Sequence, residues 1–144
     1  MFPKEHLGFD IRTLSLLIKR FIDDNGNKQY VDNLTGMHGW VIGYLYENQD
    51  RDIYQRDLES QFSIRRSTAT GILQLMEKND LIHRVPVASD ARLKKLVLTE
   101  KALDLHKMVE ADRERTEEKL IQGIDKEELE VFRRVLKKMI QNME

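Results

Sequence analysis

The segment that decides the fold is residues 54–99, YQRDLESQFSIRRSTATGILQLMEKNDLIHRVPVASDARLKKLVLT. Its apolar residues recur at helical spacing over 54–62 and again over 64–78, which predicts two short consecutive helices. Ser63 stands between them as the predicted N-cap of the second helix, because its hydroxyl can accept a bond from a free backbone N–H. The pair Asn79-Asp80 tolerates the left-handed conformation that ends many helices, so the second helix is expected to stop there.

A β-hairpin is predicted directly after the second helix. Runs of β-branched and large apolar residues at 81–85 and 95–98 are typical of short strands. Residues 88–91 between them are turn-like. Two short helices, a sharp turn and a basic hairpin follow one another in the order of a winged helix-turn-helix.

The flanks of this segment are predicted to be helical. Apolar spacing indicates a first helix over 6–23 and a second helix that is capped by Thr35 and reaches Glu47. A long helix is expected over 100–122, followed by a last helix that opens on the capping-box pattern Asp125-x-x-Glu128. The fold class is therefore mainly α with one small β-hairpin.

Charge is distributed unevenly along the chain. The net charge is −1, yet residues 64–95 contain seven Lys/Arg and three acids and carry +4, which leaves −5 for the remainder. A basic segment within an acidic chain is a candidate phosphate-binding surface. Charge alone is equally compatible with a solvated face.

Several function classes are excluded or made unattractive by the composition. The chain has no cysteine, which excludes disulfides, thiol redox sensing and cysteine-based zinc sites. Its four histidines do not fall into a set of three or four ligands, so neither a metal nor a cofactor is expected. No nucleotide-binding or hydrolase motif occurs, so no enzyme is expected. Without a signal-peptide core or a spanning apolar stretch, a cytoplasmic protein is expected.

The second short helix has the features of a helix that enters the major groove of DNA. Small hydroxyl residues allow close approach to base edges, while Arg and Gln supply reach. The cations of the hairpin, Arg92 and Lys94, are suited to the negative potential of the adjacent minor groove. The outward positions of the helix are Arg65, Arg66, Ser67, Thr68, Thr70 and Gln74.

Over nearly all its length the chain resembles the MarR (multiple antibiotic resistance regulator) family of bacterial transcription regulators. The most specific resemblance is SDAR at 89–92 followed by KKLVLTEK at 94–101, which is similar to the family's wing signature. STAT at 67–70 leading to LMEK at 75–78 is similar to its recognition helix, and Leu34-Thr35 to the start of its second helix.

The resemblance implies roles for individual residues. Arg92 is similar to the wing arginine that enters the minor groove, and Asp90 to the acid that orients this arginine through an ion pair. Ser67, Thr68 and Thr70 match positions that contact the groove or phosphates. The chain departs from the family at Gly71, where many members carry Arg, so base reading is expected to shift to Arg65, Arg66 or Gln74.

A small aromatic or phenolic effector is a second partner that the resemblance implies. His38, Trp40 and Tyr44 lie on the helix that would line its site, although ordinary packing is the competing explanation for buried aromatic residues. Gly39 and Gly43 on the same helix are poor helix formers. We expect another backbone or a ligand to approach them closely.

These observations predict one MarR-like domain over 1–144. Its winged helix-turn-helix is expected over 32–99, and a helical dimerisation region over 1–25 and 100–144, because apolar stripes on both terminal helices need a partner. The expected function is a homodimeric repressor that binds a pseudo-palindromic double-stranded DNA operator. The alternative is a winged-helix protein-interaction module without DNA binding.

Overall fold

The computed structural model describes residues 5–26 and 37–144 of the 144-residue chain. The predicted mainly helical fold with a single β-hairpin is confirmed in these residues. Thr35, the predicted N-cap of the second helix, lies outside them. The elements are α1 Leu7–Asn25, α2 His38–Glu47, α3 Gln55–Gln61, α4 Arg66–Lys78, β1 Ile82–Val87, β2 Asp90–Leu98, α5 Glu100–Ile121 and α6 Lys126–Met143.

The chain divides into two compact units. Among the described residues, 37–110 form the winged-helix unit, and 5–26 together with 111–144 form the helical unit. The division falls within α5, whereas the sequence assigned the whole of 100–144 to the dimerisation region. Ala102 and Leu105, in the first turns of α5, are buried and contribute to the core of the winged-helix unit.

The winged-helix unit has an apolar core to which each of its helices and the hairpin contribute. Burying each large side chain stabilises the fold by about 1.5–3 kcal/mol. The largest side chains in this core are Val41, Ile42, Ile53, Leu58, Leu73, Met76, Leu81 and Ile82, all less than 2% exposed.

Both helices of the helix-turn-helix end in a Schellman motif. Ser63 is left-handed, with φ +50°, and the Ile64 N–H donates to the Glu59 carbonyl at 3.1 Å. The same pattern closes α4, where Asp80 has φ +58° and the Leu81 N–H donates to the Met76 carbonyl at 2.8 Å. In this motif an apolar residue follows the left-handed one and packs back on the helix.

The predicted role of Ser63 as N-cap of α4 is therefore wrong. Ser63 completes the end of α3, so α4 begins at Arg66 rather than at Ile64, and Arg65 precedes it in extended conformation without a side-chain cap. The left-handed ending predicted for Asn79-Asp80 is confirmed, with Asp80 as the left-handed residue.

The hairpin is antiparallel, with Ile82 opposite Leu98 and Val87 opposite Asp90. Its turn is shorter than the predicted 88–91, because Asp90 already pairs within the sheet and the register shifts between Pro86 and Val87. The Leu96 N–H donates to the Ile53 carbonyl at 2.8 Å, which fastens the hairpin to the segment before α3.

Thr99 connects the hairpin to α5. Its hydroxyl accepts the Ala102 N–H at 3.1 Å and donates to the Asp80 carbonyl at 2.7 Å. The hydroxyl thus caps the N-terminus of α5 and also binds the end of α4. One side chain thereby fixes where three elements of the winged-helix unit meet.

None of the described residues of the helical unit is buried within the single chain. Neither α1 nor α6 has a buried residue, and Leu7, Leu17, Phe132 and Ile140 are each 50% or more exposed. Individual contacts nevertheless order the unit. The Arg115 guanidinium donates to the Asn25 carbonyl at 3.3 Å, and the predicted capping box at the start of α6 is confirmed.

Candidate nucleic-acid interface

Helix α4 turns one face to the core and the opposite face outward. Ala69, Leu73 and Met76 are buried on the inner face. Gly71 and Gln74 are exposed, as is Ser67 one turn earlier. Since residues three and four apart share a face of a helix, these outward residues form one continuous stripe.

The first turn of α4 gathers four of the predicted DNA-contacting residues. Arg65, Arg66, Ser67 and Thr68 are consecutive and all exposed, and the first turn contains no acidic residue. Free backbone N–H groups and the helix dipole make a helix N-terminus favourable for phosphate. Two arginines at this end add full positive charges.

Thr70, a further predicted DNA contact, is half-buried and forms hydrogen bonds within the chain. Its hydroxyl donates to the Arg66 carbonyl at 2.9 Å and accepts a hydrogen bond from Gln55 Nε2 at 2.9 Å. Gln55 was not singled out from the sequence. No periodicity links two residues that are fifteen positions apart in different helices.

The wing carries Arg92 and Asp90 in the arrangement that the resemblance implies. Asp90 Oδ1 accepts the backbone N–H of Arg92 at 2.9 Å and lies 3.6 Å from its Nε atom. The Arg92 side chain is 94% exposed, so this pair adds little to the stability of the fold. Lys94 is also exposed, two residues further along β2.

Two other cations of the basic segment are paired at the base of the wing. Arg84 Nε donates to Glu77 Oε1, which joins β1 to α4, and Lys95 Nζ lies 3.5 Å from Asp52 Oδ1. The +4 charge of residues 64–95 is therefore not spread evenly. Within residues 64–95, the cations that form no ion pair with any described residue are Arg65, Arg66, Lys78 and Lys94.

The three predicted effector residues do not converge on one face of α2. His38 is 2% exposed and Trp40 is 59% exposed, because residues two apart lie on nearly opposite sides of a helix. Tyr44 shares the side of Trp40. Its hydroxyl accepts from Arg51 Nη2 at 2.9 Å, and its ring packs edge-on against Phe62 at 5.9 Å between centroids.

His38 is a buried titratable group on the other side of α2. Its Nδ1 atom has no hydrogen-bond partner among the described residues, and desolvation by burial lowers the pKa of His38 below its ordinary value. A Cβ atom built at Gly39 would have no neighbour within 4 Å, so no other described part of this chain approaches it closely. Gly43, by contrast, is buried.

In residues 5–26 and 37–144, no three or more His, Asp or Glu side chains come together as a group able to hold a metal ion. In the same part of the chain, no helix has the length and apolar character needed to cross a membrane.

The chain is similar to known transcription regulators in both sequence and structure. A model of the MarR family matches residues 32–93. The transcription regulator MarR from Oenococcus oeni PSU-1 is 37% identical, with a TM-score of 0.75, and the match covers 94% of this chain and 99% of that one.

Two more distant solved structures share the fold. MepR of S. aureus, solved in complex with DNA, is 24% identical over 96% of this chain and 97% of that chain, with a TM-score of 0.84. The PcaV regulator of Streptomyces coelicolor, solved with its natural ligand, is 18% identical and matches both chains over 100% of their length, with a TM-score of 0.85. The identity to the Oenococcus regulator over nearly the whole of both chains, together with the family model, assigns the function class. The chain belongs to the MarR family and is a DNA-binding transcription regulator with a winged-helix fold, not an enzyme.

Proposed function

We propose that this protein is a homodimeric repressor that binds a pseudo-palindromic operator and is released from it by a small aromatic effector. The observation that carries the DNA-binding part is the pair of exposed arginines at the start of α4, which form no ion pair with the described residues and lie in the same unit as the exposed Arg92 of the wing. MepR, which shares the fold, was solved bound to DNA.

The proposed contacts divide between the two grooves. Arg65, Arg66, Ser67, Thr68 and Gln74 face the major groove from the exposed side of α4. Arg92 enters the minor groove, where the negative electrostatic potential attracts its guanidinium, and Lys94 follows it on β2. Thr70 supports these contacts through its hydrogen bonds to Gln55 and to the Arg66 carbonyl.

Dimerisation is supported by the helical unit. A helix is stabilised in a protein chiefly by packing of its apolar face. The apolar residues of α1 and α6 remain largely exposed in the single chain. We propose that a second copy covers them through a two-fold axis. The two recognition helices of such a dimer enter successive major grooves, which makes the operator an imperfect palindrome.

An effector site is proposed on the face of α2 that carries Trp40 and Tyr44. The proposal is supported by the 59% exposure of Trp40 and by PcaV, a structural relative that was solved with its natural ligand. A ligand releases DNA only if it binds the DNA-free state more tightly than the DNA-bound state. By linkage, operator DNA must weaken binding of the ligand by the same factor.

The test of DNA binding uses duplexes from the region upstream of the protein's own gene in a fluorescence anisotropy titration. We expect binding that falls steeply with salt, and an Arg92→Ala variant that binds at least about tenfold more weakly, a loss of about 1.4 kcal/mol. Arg134→Ala, an exposed arginine of α6, is the matched control and should bind like the wild type.

Two outcomes would contradict the proposal at different levels. An Arg92→Ala variant that binds as well as the wild type at moderate salt would show that the wing is wrongly assigned. A wild-type protein that binds no duplex even at low salt would favour the alternative, a winged-helix module that interacts with protein.

A further inference from the structure

We propose that Gln55 is a positioning residue for DNA binding, which holds the first turn of the recognition helix α4 through Thr70. The inference rests on the proposed function, because it assigns a role in the placement of the residues that face DNA. It also replaces the direct DNA contact expected of Thr70. The contacts among Gln55, Thr70 and the Arg66 carbonyl are called the α3–α4 latch below.

The latch joins the start of α3 to the first two turns of α4. Gln55 is the first residue of α3, and its Nε2 atom lies 2.9 Å from Thr70 Oγ1 and 3.4 Å from the Arg66 carbonyl oxygen. Thr70 Oγ1 in turn donates to the same carbonyl at 2.9 Å. One amide group of α3 therefore binds both a side chain and the backbone of the turn that carries Arg65 to Thr68.

The chemistry of the hydroxyl limits what Thr70 can do for DNA. A threonine hydroxyl has one hydrogen to donate, and in Thr70 this hydrogen is directed at the Arg66 carbonyl. Phosphate oxygens are acceptors only, so Thr70 could bind one only after the latch had opened. The structure therefore favours an indirect role, in which the hydrogen bond between Gln55 and Thr70 helps to fix the position of α4.

The turn between the helices explains why the latch matters for position. The chain from Phe62 to Arg65 contains the left-handed Ser63, and α4 starts without a side-chain cap. A single neutral hydrogen bond adds little to the stability of the fold. Base-edge contacts depend on the placement of side chains relative to the groove, so a small displacement of α4 should weaken operator binding.

A double-mutant cycle on operator affinity tests the proposal. The variants are Gln55→Ala, Thr70→Val and the double variant, with Thr70→Ser as the conservative replacement that keeps the hydroxyl. Gln61→Ala, at the exposed end of α3, is the matched glutamine control. Titration at stoichiometric concentrations gives the active fraction and removes any contribution from unfolded protein.

We expect each single variant to lose roughly three- to tenfold in operator affinity, the range that one net hydrogen bond gives. The double variant should lose no more affinity than the single variant that binds more weakly, because both substitutions break the same latch. Affinity for a scrambled duplex of equal length should be unchanged, since sequence-independent binding depends on phosphate charge. Thr70→Ser and Gln61→Ala should bind like the wild type.

The contradicting results are distinct. Additive losses would show that Thr70 contacts DNA directly, and equal losses on operator and scrambled DNA would show a phosphate contact instead of positioning. If the wild type binds the operator and the variants bind it with the same affinity, only the proposed role of Gln55 would be overturned. Failure of the wild type to bind any operator would overturn the proposed function and this role with it.

Discussion

Replacement of Gly71 by alanine should affect stability and DNA binding in opposite directions. Gly71 lies in the middle of α4 on its exposed face, and a Cβ atom built there meets no heavy atom within 4 Å. Glycine in a helix interior costs about 0.8–1.0 kcal/mol relative to alanine. Nothing in the described structure offsets this cost, so Gly71→Ala should raise the free energy of unfolding by nearly the full amount.

The expected gain of about 1 kcal/mol corresponds to a rise in Tm of roughly 2–4 °C for a cooperatively unfolding chain of about 150 residues. Thermal unfolding followed by circular dichroism measures it, at one fixed protein concentration because dimerisation makes Tm concentration-dependent. Gly123→Ala is the matched control. Its Cβ would also meet no atom within 4 Å, but its φ of +77° is unfavourable for alanine, so the Tm should fall.

Operator affinity of the same Gly71→Ala variant should decrease. Gly71 lies between Ser67 and Gln74 on the stripe proposed to enter the major groove, where a methyl group would hold α4 away from the base edges. Anisotropy titration against operator DNA measures this loss. A lower Tm for Gly71→Ala would refute the described environment of Gly71, and an unchanged affinity would show that DNA does not approach α4 closely at this position.

Three further predictions concern the dimer, acid stability and the effector. Phe132→Asp should raise the dimer dissociation constant about a thousandfold, because burial of a Phe contributes about 2 kcal/mol and occurs twice in a two-fold interface. Sedimentation should show this variant as a monomer, whereas the control Arg134→Asp, on the opposite face of α6, should remain dimeric. As the pH falls below 6.5, His38 is protonated in the unfolded chain before it is in the folded chain, so the free energy of unfolding should fall. In urea titrations the free energy of unfolding of His38→Gln should depend less steeply on pH than that of the wild type. Equal pH dependence in the two proteins would refute this assignment. Salicylate-like acids at millimolar concentration should change the fluorescence of Trp40 and release operator DNA; a titration with neither effect would remove the support for a phenolic effector.

Much of the fold could be predicted because it depends on local patterns. Apolar spacing located every described helix to within a few residues, and the close spacing of Asp90 and Arg92 at the start of β2 brought the two together. The wrong prediction that Ser63 caps α4 also has a local cause. A serine between two helices is compatible with an N-cap and with a left-handed helix end, and only the bonds made by Ile64 and its neighbours distinguish them.

What the tertiary structure decided was which partner each polar group has and which side of each helix is covered. Gln55 reaches Thr70, Glu77 neutralises Arg84, and Asp52 lies against Lys95, although no spacing in the sequence relates these residues. The sequence places His38 and Trp40 on one helix, but their burial and exposure follow from where the core lies. Such contacts are set by the packing of elements distant in the chain, and periodicity specifies the face of a helix without specifying what covers it.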